Sequence, residues 1–265
     1  MRILLGNIIA IYRKELQSYF ASPLAYVVAG VFWLLSGFFF VAILLGPEGL
    51  IASVAARDQM GLAEPVDVPY QFLNIFLGIL ASISLFLLPI LSMGLYAEER
   101  KRGTLELLAT SPITNWAIAL GKLLGVVTFF ATMVLPLMVC EAIALNASDP
   151  PIQFTVMFLG HAALILLGAA VLSIGMFISS LTDSTILAAI FTFALMLLLW
   201  VVDLIANSIS GPVGHALSHL SLIRHYTNLT QGILDTSSLI LFTSYVVLGL
   251  FLTAQSIEAF RFQRS

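Results

Sequence analysis

Six mainly apolar stretches, each roughly twenty residues or longer, run along this chain at about 24–46, 70–95, 116–142, 154–181, 184–206 and 237–257. A backbone crossing hydrocarbon satisfies every N–H and C=O within its own helix or within a closed barrel. The period-two alternation of barrel strands is absent, so the pattern selects helices. Composition agrees: 60% of residues are hydrophobic and 9% charged, with a mean hydropathy of +1.06, far from a soluble globular domain. The expected fold is all-α, a polytopic transmembrane bundle of six helices forming one domain over residues 1–265.

The charges say how such a bundle sits. Arg2, Arg13, Lys14, Arg100, Lys101, Arg102, Lys122, Arg261 and Arg264 fall on one side of the six-span layout, and Arg57 and Arg224 on the other. Nine against two is a strong positive-inside signal, placing both termini in the cytosol, as in a cell inner membrane. No basic stripe suits nucleic acid, and that class of partner is set aside; membrane lipids are the expected surroundings. The single cysteine, Cys140, lies in an apolar span. It allows neither an intramolecular disulfide nor a cysteine-based metal site and reads as a packing residue.

In residues 1–22, Leu4, Ile8, Ile11, Tyr12, Leu16 and Tyr19 share one helical face while Arg13, Lys14 and Glu15 interrupt the apolar run. That pattern predicts an amphipathic helix in the headgroup plane and not a cleavable signal. Ser22-Pro23 breaks it, since proline disfavours α geometry in the residue before it. Pro89 and Pro136 are expected to kink spans two and three. Residues 207–236 are too apolar for a free loop and too polar to span, and are expected to form short outer re-entrant helices.

Residues 97–112, AEERKRGTLELLATSP, concentrate charge between spans two and three. Gly103 and Thr104 read as the start of a short helix, with the Thr104 hydroxyl as cap and Glu106 near the positive dipole end. Leu105, Leu107 and Leu108 give that helix an apolar surface suited to a groove on a partner, and Ser111-Pro112 stops it. The plainer reading is a solvated loop that anchors topology.

The run Glu99-Arg-Lys-Arg-Gly103-Thr104-Leu-Glu106-Leu-Leu108, followed by Ser111-Pro112, resembles the coupling loop of permease subunits of type-2 ABC exporters. Tyr12-Arg-Lys14-Glu15-Leu16, with Tyr19-Phe20 and Ser22-Pro23, is similar to that family's elbow helix. The segment from Lys14 to Tyr26 looks most like the gliding-motility-type permeases. The resemblance implies a permease, not itself an enzyme, with an N-terminal elbow helix (residues 1–22, including Arg13, Lys14 and Glu15) and a coupling helix. Glu98, Glu99, Arg100, Gly103, Thr104, Leu105, Glu106, Leu107 and Leu108 are the implied ATPase-coupling residues. The implied partners are a dimer of cytosolic ABC ATPase subunits and a second permease chain, by default an identical copy, with room for a periplasmic or membrane accessory subunit. No G-x-x-x-x-G-K-[ST] run occurs, so no cofactor is expected on this chain, and ATP and Mg belong to the partner.

Ionisable residues within spans are costly and draw a functional reading by default. Glu141 and Asp203 are expected near the outer ends of spans three and five, within reach of water. Lys122 is expected to snorkel to the cytosolic surface, and His161 to be a packing histidine with no second titratable residue on its own face. Asp203, His215, His219 and Arg224 are candidates for an outer gate. His215 and His219 are four apart, but no H-E-x-x-H pattern accompanies them, and no metal site is assigned. Phe38, Phe39, Phe40, Phe72 and Phe76 either line an apolar path or face lipid. The alternatives to a permease are an ion-coupled secondary transporter, for which matching broken helices in two halves are lacking, and a non-transporting scaffold. A membrane hydrolase would need a G-x-S-x-G or H-E-x-x-H motif, and neither is present.

Overall fold

In the computed structural model, residues 2–61, 66–105, 113–146, 148–208, 211, 214 and 218–262 are described. Helix α1 (Arg2–Ala21) ends where the sequence predicted, because the Ser22 hydroxyl accepts from Ala25 N and Pro23 supplies the first turn of α2 (Pro23–Leu45). A short α3 (Leu50–Gln59) follows. Asp67 then caps α4 (Val68–Ser92) by accepting from Tyr70 N at 3.0 Å. After Met93 the same rod continues as α5 (Gly94–Lys101). The remaining helices are α6 (Asn115–Leu145), α7 (Phe154–Leu181), α8 (Thr185–Ser208), the short α9 (Leu222–Thr230) and α10 (Thr236–Phe262). Among the described residues, six helical stretches are long and apolar enough to cross a membrane, and they coincide with the six expected spans.

The break between α4 and α5 has an identifiable cause. Pro89 lies inside α4 one turn before it, and proline removes a ladder donor and crowds the preceding turn. Tyr96 N and Ala97 N, which a continuous helix would direct to the carbonyls of Ser92 and Met93, both reach Ser179 Oγ, at 3.1 and 3.0 Å. Ser179 Oγ in turn donates to Met93 O at 2.7 Å. A hydroxyl from α7 therefore stands in for the interrupted ladder, one of the recognised origins of a helix kink. Pro136 sits inside α6, where Trp33 Nε1 donates to Met133 O at 2.8 Å.

The central helix is α7, which touches α4, α5, α6, α8, α9 and α10. In lipid there is little hydrophobic drive between helices, so close backbone approach at small residues carries the packing. Gly160, Gly168 and Gly175 of α7 lie directly against Leu77, Phe130 and Ser92, and Gly249 of α10 lies against the backbone of Ser173. Phe40, Phe72 and Phe76 resolve as packed core. Phe40 packs edge-on against Phe72 and Phe76, with centroids 5.0 and 5.5 Å apart, and Phe72 and Phe76 are fully buried while Phe38 points outward. Leu34, Ile143 and Ile186 are among many exposed aliphatics on the outer surface, as lipid-facing positions require.

Helix α1 lies along α6. The contact depends on Gly121 and Gly125, four residues apart on one face of α6. A Cβ at Gly121 would fall 2.8 Å from Ile11 Cβ and 3.0 Å from Ile8 O, and one at Gly125 would fall 2.8 Å from Glu15 Cβ. Gly125→Val is expected to destabilise the protein by about 1–3 kcal/mol through overpacking, read as a lowered melting temperature in detergent. Gly30→Ala, whose Cβ meets nothing within 4 Å, should leave the melt unchanged or slightly raised.

A buried charge junction at the candidate coupling site

Three helices converge where the span-two rod ends. Lys122 of α6, seven residues into its span, has its side chain 2% exposed. Its ammonium donates to Leu95 O at 2.8 Å, to Glu99 Oε1 at 3.0 Å and to Glu15 Oε2 at 3.2 Å. All three of its protons therefore have acceptors, supplied by α5 twice and α1 once. Tyr96 places its ring 5.0 Å below the same charge, an additional cation–π contact. Glu99 Oε1 also accepts from Lys14 at 3.1 Å, but that lysine is 63% exposed and its share is small. Two cations and two carboxylates thus alternate across α1, α5 and α6.

This arrangement corrects the snorkelling expected for Lys122. The lysine turns inward because two carboxylates, both distant in sequence, reach it before bulk water does. Glu15 and Glu99, expected in the elbow and the coupling loop, are drawn into the core with it. Nearby Tyr19 donates to Leu91 O at 2.7 Å. Burial, reinforced by the carboxylates of Glu15 and Glu98, pushes its phenol well above the ordinary value and keeps it a donor.

The first part of the 97–112 segment is not a loop. Residues Gly94–Lys101 are helical, and Gly103 closes that helix. It has φ +71°, with Gly103 N donating to Arg100 O and Thr104 N to Glu99 O, the bonding pattern of a Schellman stop. Thr104 Oγ1 also donates back to Glu99 O at 3.2 Å. Leu105 is helical again and buried. Glu106, Leu107, Leu108, Ser111 and Pro112 lie outside the described residues, and so does any test of Thr104 as a cap for them. Arg100 turns inward too: its guanidinium donates to Ser180 O at 2.9 Å, in the last turn of α7, and lies 5.2 Å from the Phe260 ring. A cation there suits the negative end of the helix dipole. Arg13, Glu98, Lys101 and Arg102 remain exposed, with Glu98 and Arg102 within 3.5 Å of each other.

At the other end of the bundle, Asp203 is buried and accepts from the Ser221 hydroxyl, which also caps α9. His225 has both ring nitrogens engaged, one 2.9 Å from Ser238 Oγ and the other 3.2 Å from His219 O. These contacts tie α8 and α10 to α9. His219 and Arg224 are exposed beside them, and His215 lies outside the described residues. Glu141, expected near water, is fully buried, and His161 Nε2 lies 3.2 Å from its Oε1. The second titratable residue that His161 lacks on its own face comes from α6, while its Nδ1 lies 2.9 Å from Met157 O one turn back in α7. Tyr226 donates to Leu77 O at 2.7 Å, its phenol pushed far up by burial and secondarily by Glu141.

Sequence reasoning named Lys122 but not its partners, and its trace was a cation beside Gly121 and Gly125 inside an apolar span. Ser179 left none, being one of several serines in spans.

The model of the ABC-2 family transporter protein domain matches residues 9–265. The chain belongs to the ABC-2 transporter family. It is 32% identical over 146 residues to the probable multidrug ABC transporter permease YbhR of Escherichia coli K12, and to the same degree to that of Escherichia coli O157:H7. Those alignments cover 52% of this chain and 37% of the relatives' own length. Within this ABC-2 chain the charge junction reaches, through Glu99, the segment that the sequence singled out for coupling.

Removing one member of a buried charge set leaves the others uncompensated. Lys122→Met should destabilise the protein by about 3–5 kcal/mol, measured by thermal or denaturant unfolding in detergent. Adding Glu15→Gln and Glu99→Gln to that variant should recover a large part of the loss.

Proposed function

We propose that this chain is the permease subunit of an ATP-driven exporter, or of an ATP-driven complex doing mechanical work across the membrane, with hydrolysis supplied by a separate ATPase. In this reading two permease chains sit on two ATPase subunits in the inner membrane, with both termini and the 97–112 segment in the cytosol. ATP and Mg are held by the ATPase. The observation that carries the reading is the bonding of α5 to α1 and α6 through Glu99, Lys122 and Glu15, beside the exposed Glu98, Lys101 and Arg102. A partner pressing on the end of α5 would move three helices as one body, and α5 is hinged on α4 at Met93 and held there by Ser179. Nucleotide-dependent affinity of the partner for one arrangement then biases the whole bundle.

The exposure pattern decides which substitutions test coupling. Glu98→Lys and Lys101→Glu alter only solvent-facing charge, so folding should persist. Transport by the permease–ATPase complex in liposomes is expected to fall about 5- to 150-fold, the usual range of a coupling energy, while basal ATP hydrolysis continues. Unchanged transport per ATP would reject the assignment. Charge reversal at Glu99 belongs to the folding test instead, because it breaks the junction. The buried Glu141–His161 pair is the one observation favouring an ion-coupled secondary transporter. That reading predicts uptake or efflux driven by a proton gradient without ATP and lost in Glu141→Gln.

A further inference from the structure

A second buried ionisable pair lies toward the opposite end of α6 from the charge junction. Glu141 is nineteen residues beyond Lys122, about 28 Å along the helix at roughly 1.5 Å per residue. It is fully buried, and His161 of α7 is buried with it. Lys122 has an acceptor for every proton, whereas neither Glu141 oxygen has a hydrogen-bond donor of ordinary geometry among the described residues. The ionic contact of Glu141 is with His161 Nε2, 3.2 Å from its Oε1. The protons of the pair follow from what its neighbours accept. His161 Nδ1 lies 2.9 Å from Met157 O, and a carbonyl oxygen only accepts, so Nδ1 carries a hydrogen. That leaves Nε2. Without a hydrogen it would turn a lone pair toward a carboxylate oxygen in a site closed to solvent, where an unpaired anion is strongly disfavoured. Tyr226 of α9, close enough for the carboxylate to act on its phenol, gives its own hydrogen to Leu77 O at 2.7 Å.

Other titratable groups on the surrounding helices are exposed or already engaged. Tyr26 of α2 and Tyr70 of α4 are exposed. On α8, Asp203 accepts from Ser221; on α9, His225 is engaged at both ring nitrogens and Arg224 is exposed. On α10, Tyr245 donates to Leu220 O and Glu258 is exposed. Lys14, Glu15 and Glu99 of α1 and α5 belong to the charge junction. One proton added at Nε2 or at Oε1 meets the requirement in either place, as an imidazolium beside a carboxylate or as a neutral imidazole beside a carboxylic acid, so it belongs to the pair and not to one residue. We propose that Glu141 and His161 form a binding site for one proton, and that this proton joins α6 to α7 near the end where the chain passes from one to the other. Its loss leaves an uncompensated carboxylate between two core helices. The site follows from packing alone and rests on neither the ATP-driven nor the ion-coupled reading, so either can fail without it.

The test is reversible unfolding of the full chain in mixed detergent micelles as a function of pH. Unfolded, the pair holds its proton only below about pH 6.5, the ordinary histidine value. Folded, it keeps the proton, so above that point the folded state binds one proton more and stability falls as pH rises. The unfolding constant is expected to increase about tenfold per pH unit there, the slope of a single proton. Glu141→Gln puts an amide donor in place of the shared proton and should remove that slope, while other titrating groups cancel in the comparison with wild type. His161→Leu leaves Glu141 to hold the proton alone and should bring the start of the rise down to the ordinary glutamate value of about 4.3. It remains informative if Glu141→Gln fails to fold. Equal slopes in wild type and Glu141→Gln, or a rise in His161→Leu that starts where the wild type's does, would overturn the proposal. A wild-type profile that stays flat above about pH 6.5 overturns it without any variant. Stabilisation by sodium or potassium ions at fixed pH, abolished in Glu141→Gln, also overturns it and assigns the site to an alkali cation.

Discussion

An ammonium group seven residues inside a membrane span is the constraint on which the rest of this architecture turns. Left alone at that depth, Lys122 would cost several kcal/mol even after relaxation. It is tolerated because Glu15, Glu99 and the Leu95 carbonyl receive all three of its protons. Those acceptors belong to α1 and α5, so meeting the charge fixes both helices against α6. The approach also needs room, which Gly121 and Gly125 provide by letting α1 lie on the α6 backbone at Ile11 and Glu15. Charge and small residues act together here, since neither alone would hold an amphipathic helix in one register on a lipid-facing rod.

The same economy recurs around α7. A bundle in lipid cannot rely on expelling water between helices, so its contacts are steric or polar. Glycines of α7 admit Leu77, Phe130 and Ser92 at the closest range, and its hydroxyls complete bonds that other helices leave open. Ser179 repairs the ladder broken between α4 and α5. The end of α7 is itself held by Arg100 of α5 through Ser180 O. The charged end of span two is therefore anchored to the core twice, by Lys122 and by α7, while Glu98, Lys101 and Arg102 stay in solvent.

Much of this was legible in sequence, for reasons local to the chain. The six spans follow from hydropathy and the α1–α2 break from Ser22-Pro23. Sequence read Gly103 and Thr104 only as the start of a following helix; that Gly103 also ends α5 is decided by the bonds from Gly103 N and Thr104 N back to Arg100 and Glu99. The pairing of Glu141 with His161 was missed because it joins α6 to α7, and helical periodicity carries no information about a neighbouring helix.

The sequence by itself determined an all-helical, six-span membrane protein with its charge gathered at the ends of a few helices, because the cost of unsatisfied backbone in lipid depends on segment composition alone. Tertiary structure decided which of those charges are internal. Lys122 and Glu99 lie 23 residues apart, and Lys122 and Glu15 107 apart; whether a charge meets water or a counter-charge depends on which helices pack side by side. A side chain drawn as a coupling-loop carboxylate thereby became part of the brace behind that loop.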